Sequence, residues 1–313
     1  MGKAQRAHAW ARREDAPLPT LRAVLGQNRM TVPRAWSVLL LGAPLAFFAA
    51  FFVVPFGLVV LDSLRTADGH ASLAHYAKAL GDLYYWETLL LTFRLSAWVT
   101  LATFAVGYPL AYYIVRMVHS RTLRRLIYIV VITPLFTSNI VRAFGWIVLL
   151  GRRGLVNDTL VTLGLLDHPM PLLYGELSIV IGLTYIMVPF MVLTVAAVLQ
   201  NVEPSLEDAA RDLGAGAWSA FWRVTFPLSL PGVIAGSLIV FTLSVSAYVT
   251  PSILSGGKKT VMSMLIFQQY GSVLDFNFGA ALAVILLVTT LILVGGYLVA
   301  VERGARMTSA RPA

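Results

Sequence analysis

Leu177-Ser-Ile-Val-Ile-Gly-Leu-Thr-Tyr-Ile-Met-Val-Pro-Phe-Met-Val-Leu-Thr-Val-Ala-Ala-Val-Leu199 contains no Asp, Glu, Lys or Arg. An uncharged run of this length reads as a helix crossing the hydrocarbon core of a bilayer, which takes about 20 residues. Five more such runs lie on either side of it, at Ala35–Leu61, Leu89–Val115, Leu126–Leu150, Leu228–Leu254 and Ala280–Val301. Arg94 and Arg142 are the only formal charges within the six. None shows the strict alternation of a membrane β-strand. The expected fold is therefore all-α, a polytopic membrane protein with six transmembrane helices.

Composition agrees. Of 313 residues, 58% are hydrophobic and 12% charged, against about 25% charged in soluble domains. So few charges could not clothe a soluble enzyme of this length. With no cysteine, disulfides, thiolate metal sites and cysteine nucleophiles are excluded. The net charge of +9 would suit nucleic acid only on a basic folded surface. Its distribution gives another meaning. Segments 1–34, 116–125, 200–227 and 302–313 hold 16 Lys and Arg, whereas 62–88, 151–176 and 255–279 hold six. Positive loops stay in the cytoplasm, so both termini are expected there, and no nucleic-acid partner is expected.

The first run is too long, and too far from the start, for a signal-peptide core, so it is read as a retained helix. Residues 1–34 form a basic tail with Pro17, Pro19 and Pro33. It is expected to be disordered or to lie on anionic lipid. The domain plan is this tail, a membrane domain over 35–301, and a second tail over 302–313.

The connector 200–227 is longer than two packed helices need, and long loops are usually functional. It contains Asn201-Val-Glu-Pro-Ser-Leu-Glu-Asp-Ala-Ala-Arg-Asp-Leu-Gly-Ala-Gly216. Pro204 in the first turn, Ser205 as cap, and Glu207 and Asp208 near the positive end all signal a helix start. Ala209, Ala210 and Leu213 give it a small apolar face, and Gly214 ends it. A second short stretch carries Trp218, Phe221 and Trp222, then Pro227. Two readings are open: a helix lying flat in the interface, or one whose small face docks a partner protein.

Asp208-Ala-Ala-Arg-Asp-Leu-Gly214, followed after nine residues by Val224-Thr-Phe-Pro227, resembles the EAA loop of ABC importer permeases. The pair Ala209-Ala210, Gly214 and Pro227 fall in register. Asp208 stands where Glu is usual, and Phe226 where Leu is usual. Glu207, one place early, cannot take that Glu role. Gly107-Tyr-Pro-Leu-Ala-Tyr112, Val141-Arg-Ala-Phe-Gly-Trp-Ile147, and Ala247-Tyr-Val-Thr-Pro-Ser-Ile-Leu254 before Gly256-Gly257 resemble the spermidine/putrescine-type branch. The resemblance covers roughly residues 35 to 301. Relatives carrying iron, sulfate or opines share much of it. It implies a type I importer permease bundle in a bacterial inner membrane, paired with a second permease subunit. Solute would come from an extracytoplasmic binding protein, and the drive from two cytoplasmic ATP-binding subunits. One of these would be docked at Asp208, Ala209, Ala210, Gly214 and Pro227. The chain would bind no ATP itself: Gly256-Gly-Lys-Lys-Thr260 lacks the earlier Gly and the Ser/Thr of a phosphate loop.

A charge inside the membrane is unfavourable by about 2.5–3.5 kcal/mol on insertion scales. Arg94, near an end of its helix, is expected to snorkel to the interface. Arg142 sits deeper, with Thr137, Ser138, Asn139 and a kinking Pro134, so a role in the solute path competes with one in packing. Thr242, Ser246 and Thr250 form one stripe of the fifth helix, with Ser244 and Tyr248 on the opposite face. Arg142, Trp146, Ser246, Tyr248 and Thr250 are the candidate path residues. Gly232-Val-Ile-Ala-Gly236 reads as a close helix contact. The five histidines lie outside the runs without zinc spacing, no nucleophile elbow is present, and no acid lies within a run to support proton coupling. Metal, cofactor and catalytic residues are therefore not expected. An importer permease for a polyamine is favoured over the same mechanism with iron(III), sulfate or an opine, and over a secondary carrier, which should show inverted repeats or intramembrane acids.

Overall fold

The computed structural model describes residues 34–66 and 69–309, with side-chain surroundings for 40–66 and 69–303. All but one residue of the expected tail 1–34 therefore lie outside the described residues. Among the described residues the regular structure is helical, joined by turns and loops, with one isolated bridge between Arg65 and Ala71. The described chain divides into two compact units, the first ending at Leu58 and the second starting at Val59. The first holds α1 (Arg34–Phe48) and a π turn, Ala49–Val53. α2 (Val54–Ser63) starts in it and ends in the second unit.

In the second unit, α3 (Ala74–Gly81) leads to α4 (Leu83–Tyr112), which closes in a π turn at Tyr113–Met117. α4 begins six residues before the apolar run, because Asp82 caps it by accepting from the Tyr84 amide at 2.9 Å. Next come α5 (Arg121–Ile132), α6 (Asn139–Leu150) and α7 (Leu155–Thr162). The long α8 (Glu176–Leu199) and the short α9 (Ser205–Asp212) and α10 (Ala217–Ala220) follow. The chain ends with α11 (Phe226–Val245), α12 (Val249–Leu254), α13 (Met262–Gln268) and α14 (Phe276–Ser309).

Among the described residues five helices are long and apolar enough to cross a membrane, and the bent α5–α6 pair makes a sixth span if counted as one. Here the expectation of one continuous third helix over Leu126–Leu150 is corrected: the chain bends by 101° between its halves. Pro134, in a 3₁₀ turn at Thr133–Phe136, has no N–H to continue the ladder. Thr137 and Ser138 then run extended before α6 starts. The fifth run, expected as one helix from Leu228 to Leu254, is also broken. α11 stops at Val245, and α12 restarts at Val249. Pro251 explains this, since in a continuous helix its ring would clash with the Ala247 carbonyl. That carbonyl instead accepts from the Ser263 hydroxyl at 2.6 Å. The last helix extends beyond the expected Val301 to Ser309, leaving 310–313 outside the described residues.

The main core is the packing of α4, α8 and α11, centred on Val99, Met191, Val192, Val195 and Val240, each fully buried. Small residues set this spacing. A Cβ on Gly236 would stand 2.5 Å from Thr194 Oγ1, and one on Gly232 3.0 Å from the Thr194 carbonyl. The GxxxG contact is therefore made against α8. Gly107 gives α4 the same closeness, a Cβ there lying 2.9 Å from Met191 Cγ. Two polar contacts cross the core: Tyr108 Oη and Ser229 Oγ share a hydrogen bond of 2.9 Å, and the Met262 amide donates to Thr92 Oγ1 at 2.9 Å. The buried hydroxyls of Thr103, Thr225 and Ser244 have no hydrogen-bond partner among the described residues. A second core joins α3, α13 and α14 around Ala79, Leu265, Phe278 and Leu282.

Candidate functional site

The connector after α8 folds as α9, a turn, and α10 running through a π turn (Phe221–Thr225) into α11. Ser205 does not cap α9. Pro204 holds the cap position, and the Ser205 hydroxyl donates to Glu203 at 3.3 Å. The stop is as the sequence indicates. Gly214 has φ +87°, a left-handed conformation that favours glycine. Across it, the Ala215 amide donates to the Ala210 carbonyl at 3.0 Å, closing the last turn.

α9 has two faces. Asp208, Ala209 and Leu213 are exposed, Leu213 by 90% of its surface. Ala210 is half-buried. On the other side Glu207 is buried, with Oε1 3.1 Å from Nε of Arg116 in the π turn that ends α4. The return segment is anchored by aromatic edges: Phe221 meets Tyr112 at 5.3 Å and Tyr108 at 5.9 Å. Trp218 and Trp222 flank Phe221. With Phe226 these rings line a groove of about 740 Å³ that reaches Tyr113 and Met117. Pro227, exposed in the first turn of α11, completes the loop. The Glu207–Arg116 pair was not foreseen, the only hint being an arginine directly after an apolar run.

The five path candidates divide. Trp146 and Thr250 come together around Gly182 of α8: a Cβ on that glycine would stand 3.0 Å from the Thr250 methyl and 3.7 Å from Trp146 Cδ1. Trp146 also meets Tyr185 edge-on at 5.7 Å, where a cavity of about 550 Å³ opens between α8, Pro134 and Trp146. Arg142 lies one helical turn before Trp146 on α6, in the first turn after the break, rather than partway down a straight helix. It donates from Nη2 to Asn139 Oδ1, while Nε and Nη1 are buried without a hydrogen-bond partner among the described residues. Ser246 and Tyr248 lie in the break between α11 and α12. Ser246 is exposed, and Tyr248 stacks on Phe267 at 4.2 Å. The stripe Thr242, Ser246, Thr250 thus does not exist as one helix face. Among the described residues, no group of three His, Asp or Glu side chains could hold a metal ion.

A bundle of long apolar helices, two of its spans broken, packed around close glycine contacts defines a polytopic membrane protein. Residues 104–301 match the family of binding-protein-dependent transport system inner membrane components, and the chain belongs to that family. It is a permease subunit of an ABC importer and a multi-pass protein of the bacterial inner membrane. It is 30% identical over 263 residues to the spermidine/putrescine transport system permease protein PotB of Escherichia coli, spanning 82% of this chain and 93% of that one. PotB of Haemophilus influenzae is also 30% identical, over 79% of this chain and 87% of its own. Among solved structures, a bacterial ABC transporter involved in the import of the acidic polysaccharide alginate shares the fold. It has a TM-score of 0.65 at 19% identity and covers 88% of this chain and 100% of that one.

Proposed function

We propose that this chain forms half of the translocation path of a polyamine importer, carrying putrescine or spermidine into the cytoplasm. The observation that carries the mechanism is the two-faced α9. Its inner face is held to α4 through Glu207, leaving Asp208, Ala209 and Leu213 free for a partner. That partner is a cytoplasmic ATP-binding subunit, present in two copies, which binds the ATP. Small residues let its cleft approach closely, and Asp208 supplies a charge at the helix N-terminus. An extracytoplasmic binding protein delivers the solute, and a second permease completes the path. Both chain termini lie in the cytoplasm, on the side of α9.

The identity to PotB supports the polyamine. Rings such as Trp146 and Tyr248 attract ammonium groups by about 0.5–2 kcal/mol each. A second reading, an anionic solute such as sulfate, draws on the two unpartnered donors of Arg142. Proteoliposomes carrying the complete importer decide between them. ATP-driven uptake of labelled putrescine, unaffected by sulfate, is the expected result; sulfate uptake without polyamine uptake would overturn the substrate and leave the permease assignment standing.

A further inference from the structure

Arg116 does more than neutralise a buried acid. Its side chain and that of Glu207 are 12% and 11% exposed, with Nε and Oε1 3.1 Å apart. The same guanidinium donates from Nη2 to the Val202 carbonyl at 3.0 Å. One side chain at the end of α4 thus holds both α9 and the chain that enters it. α9 is only eight residues long, so without such a hold a load on its outer face would tilt it within its own loop.

We infer that Arg116 is the positioning residue of energy coupling, a clasp through which a displacement of α9 moves α4 as one body. Three features of the geometry support this. Glu207 and the docking residue Asp208 are adjacent in sequence, yet one is buried and the other exposed, so force applied to one face passes directly to the pair on the other. The π turn carrying Arg116 continues straight from α4, with Ile114 fully buried in the main core. And α4 seats Gly107 against Met191 of α8, too close for slippage between the two helices. Phe221 on Tyr112 makes a parallel apolar contact on the return segment. An ion pair withdrawn from water adds little net stability, but loss of one partner is strongly unfavourable because the other charge stays buried. Such a pair suits a fixed geometry better than a general gain in stability.

The inference rests on Asp208–Gly214 being the ATPase dock, so its test reads docking separately. The whole importer is reconstituted in proteoliposomes, and a single cysteine replacing Ala209, unambiguous in a chain without others, reports docking by cross-linking to the ATPase. Arg116→Glu and Glu207→Arg are each expected to keep the cross-link and ATP hydrolysis, while solute moved per ATP falls by about 10-fold, within the usual range of coupling between sites. The double exchange is expected to restore the ratio to near its original value, as a direct pair interaction requires. Should a reversal fail to reach the membrane, Glu207→Gln carries the same test without reversing a charge. A normal transport-to-ATP ratio in the single variants, or a folded double exchange that stays uncoupled, overturns the clasp alone. Absence of the cross-link from the chain carrying only Ala209→Cys overturns the docking reading and the clasp with it.

Discussion

Arg94 of α4 donates to both carboxylate oxygens of Glu176 at the start of α8, at 2.6 Å and 2.7 Å. Lys259, from the loop before α13, reaches the same carboxylate at 3.1 Å. One acid at a helix end thus ties two long helices to a loop, which is why an arginine is tolerated within an apolar run. The sequence alone assigns Arg94 no partner; the structure gives its half-exposed side chain this carboxylate.

Replacing Glu176 by Ala leaves Arg94 and Lys259 facing each other without an acid between them. The groups are partly exposed, so the expected loss of stability is small, about 1 kcal/mol or less. The local effect is larger. Amide exchange at Lys258 and Lys259 should speed up well beyond the change at the core of α8. Equal protection in variant and parent would show that the loop is held by other contacts.

Gly236 offers a sharper test of packing. A Cβ there would lie 2.5 Å from Thr194 Oγ1 and 2.8 Å from Met191 Sδ. Gly236→Val therefore forces α11 away from α8, with an expected cost of about 1–3 kcal/mol. Thermal unfolding in detergent measures it. Gly145→Ala, with nothing within 4 Å of the added atom, should show no loss in the same assay, and by helix propensity a gain of up to about 1 kcal/mol.

Gly214→Trp and Asp208→Lys probe the dock. The first forces a left-handed residue with a side chain, unfavourable by roughly 1–2 kcal/mol, and places bulk beside the exposed face of α9. The second reverses the charge near the helix N-terminus. Both variants should reach the membrane in normal amounts yet take up solute poorly and co-purify less ATPase. Full uptake in both would remove the connector from the coupling machinery.

What the sequence showed and what it hid have one physical origin. Hydropathy is a local property, so the positions of the membrane runs were legible, as was the Gly214 stop, which depends on one residue's backbone freedom. The breaks at Thr137–Ser138 and at Ser246–Tyr248 were half legible. Pro134 marked the first, but a proline alone does not decide, since Pro189 and Pro231 lie inside unbroken helices while the helix stops before Pro251. What differs is what receives the freed carbonyl, and for Ala247 that is Ser263, across the turn. Arg116–Glu207 and Arg94–Glu176 were not legible at all. Each joins residues from different helices, and neither acid lies within an apolar run. The same limit split the path residues: a stripe drawn on one continuous helix had no means of registering that the helix ends at Val245.

The break reorders what should be reachable from water. If the polar residues around it border the solute path, Arg142→Cys and Ser246→Cys should react with a small charged thiol reagent in at least one nucleotide state of the reconstituted importer. Arg142 leads into α6 with two donors unsatisfied, and the Ser246 side chain is exposed beside the break. Thr250→Cys should stay unreactive in every state, although the uninterrupted stripe would have grouped it with Ser246. Thr250 is buried, its methyl set against Gly182 where α12 packs on α8. Tyr248→Cys is expected between these extremes, because removing the ring uncovers Phe267, its stacking partner. Lipid exposure and water exposure are told apart by the reagent's charge, since a charged thiol reagent does not enter hydrocarbon and an exposed side chain facing lipid stays silent. Silence at 142 and 246 in all nucleotide states would place both on the lipid or subunit face and move the path to the cavity lined by Trp146, Thr184 and Tyr185.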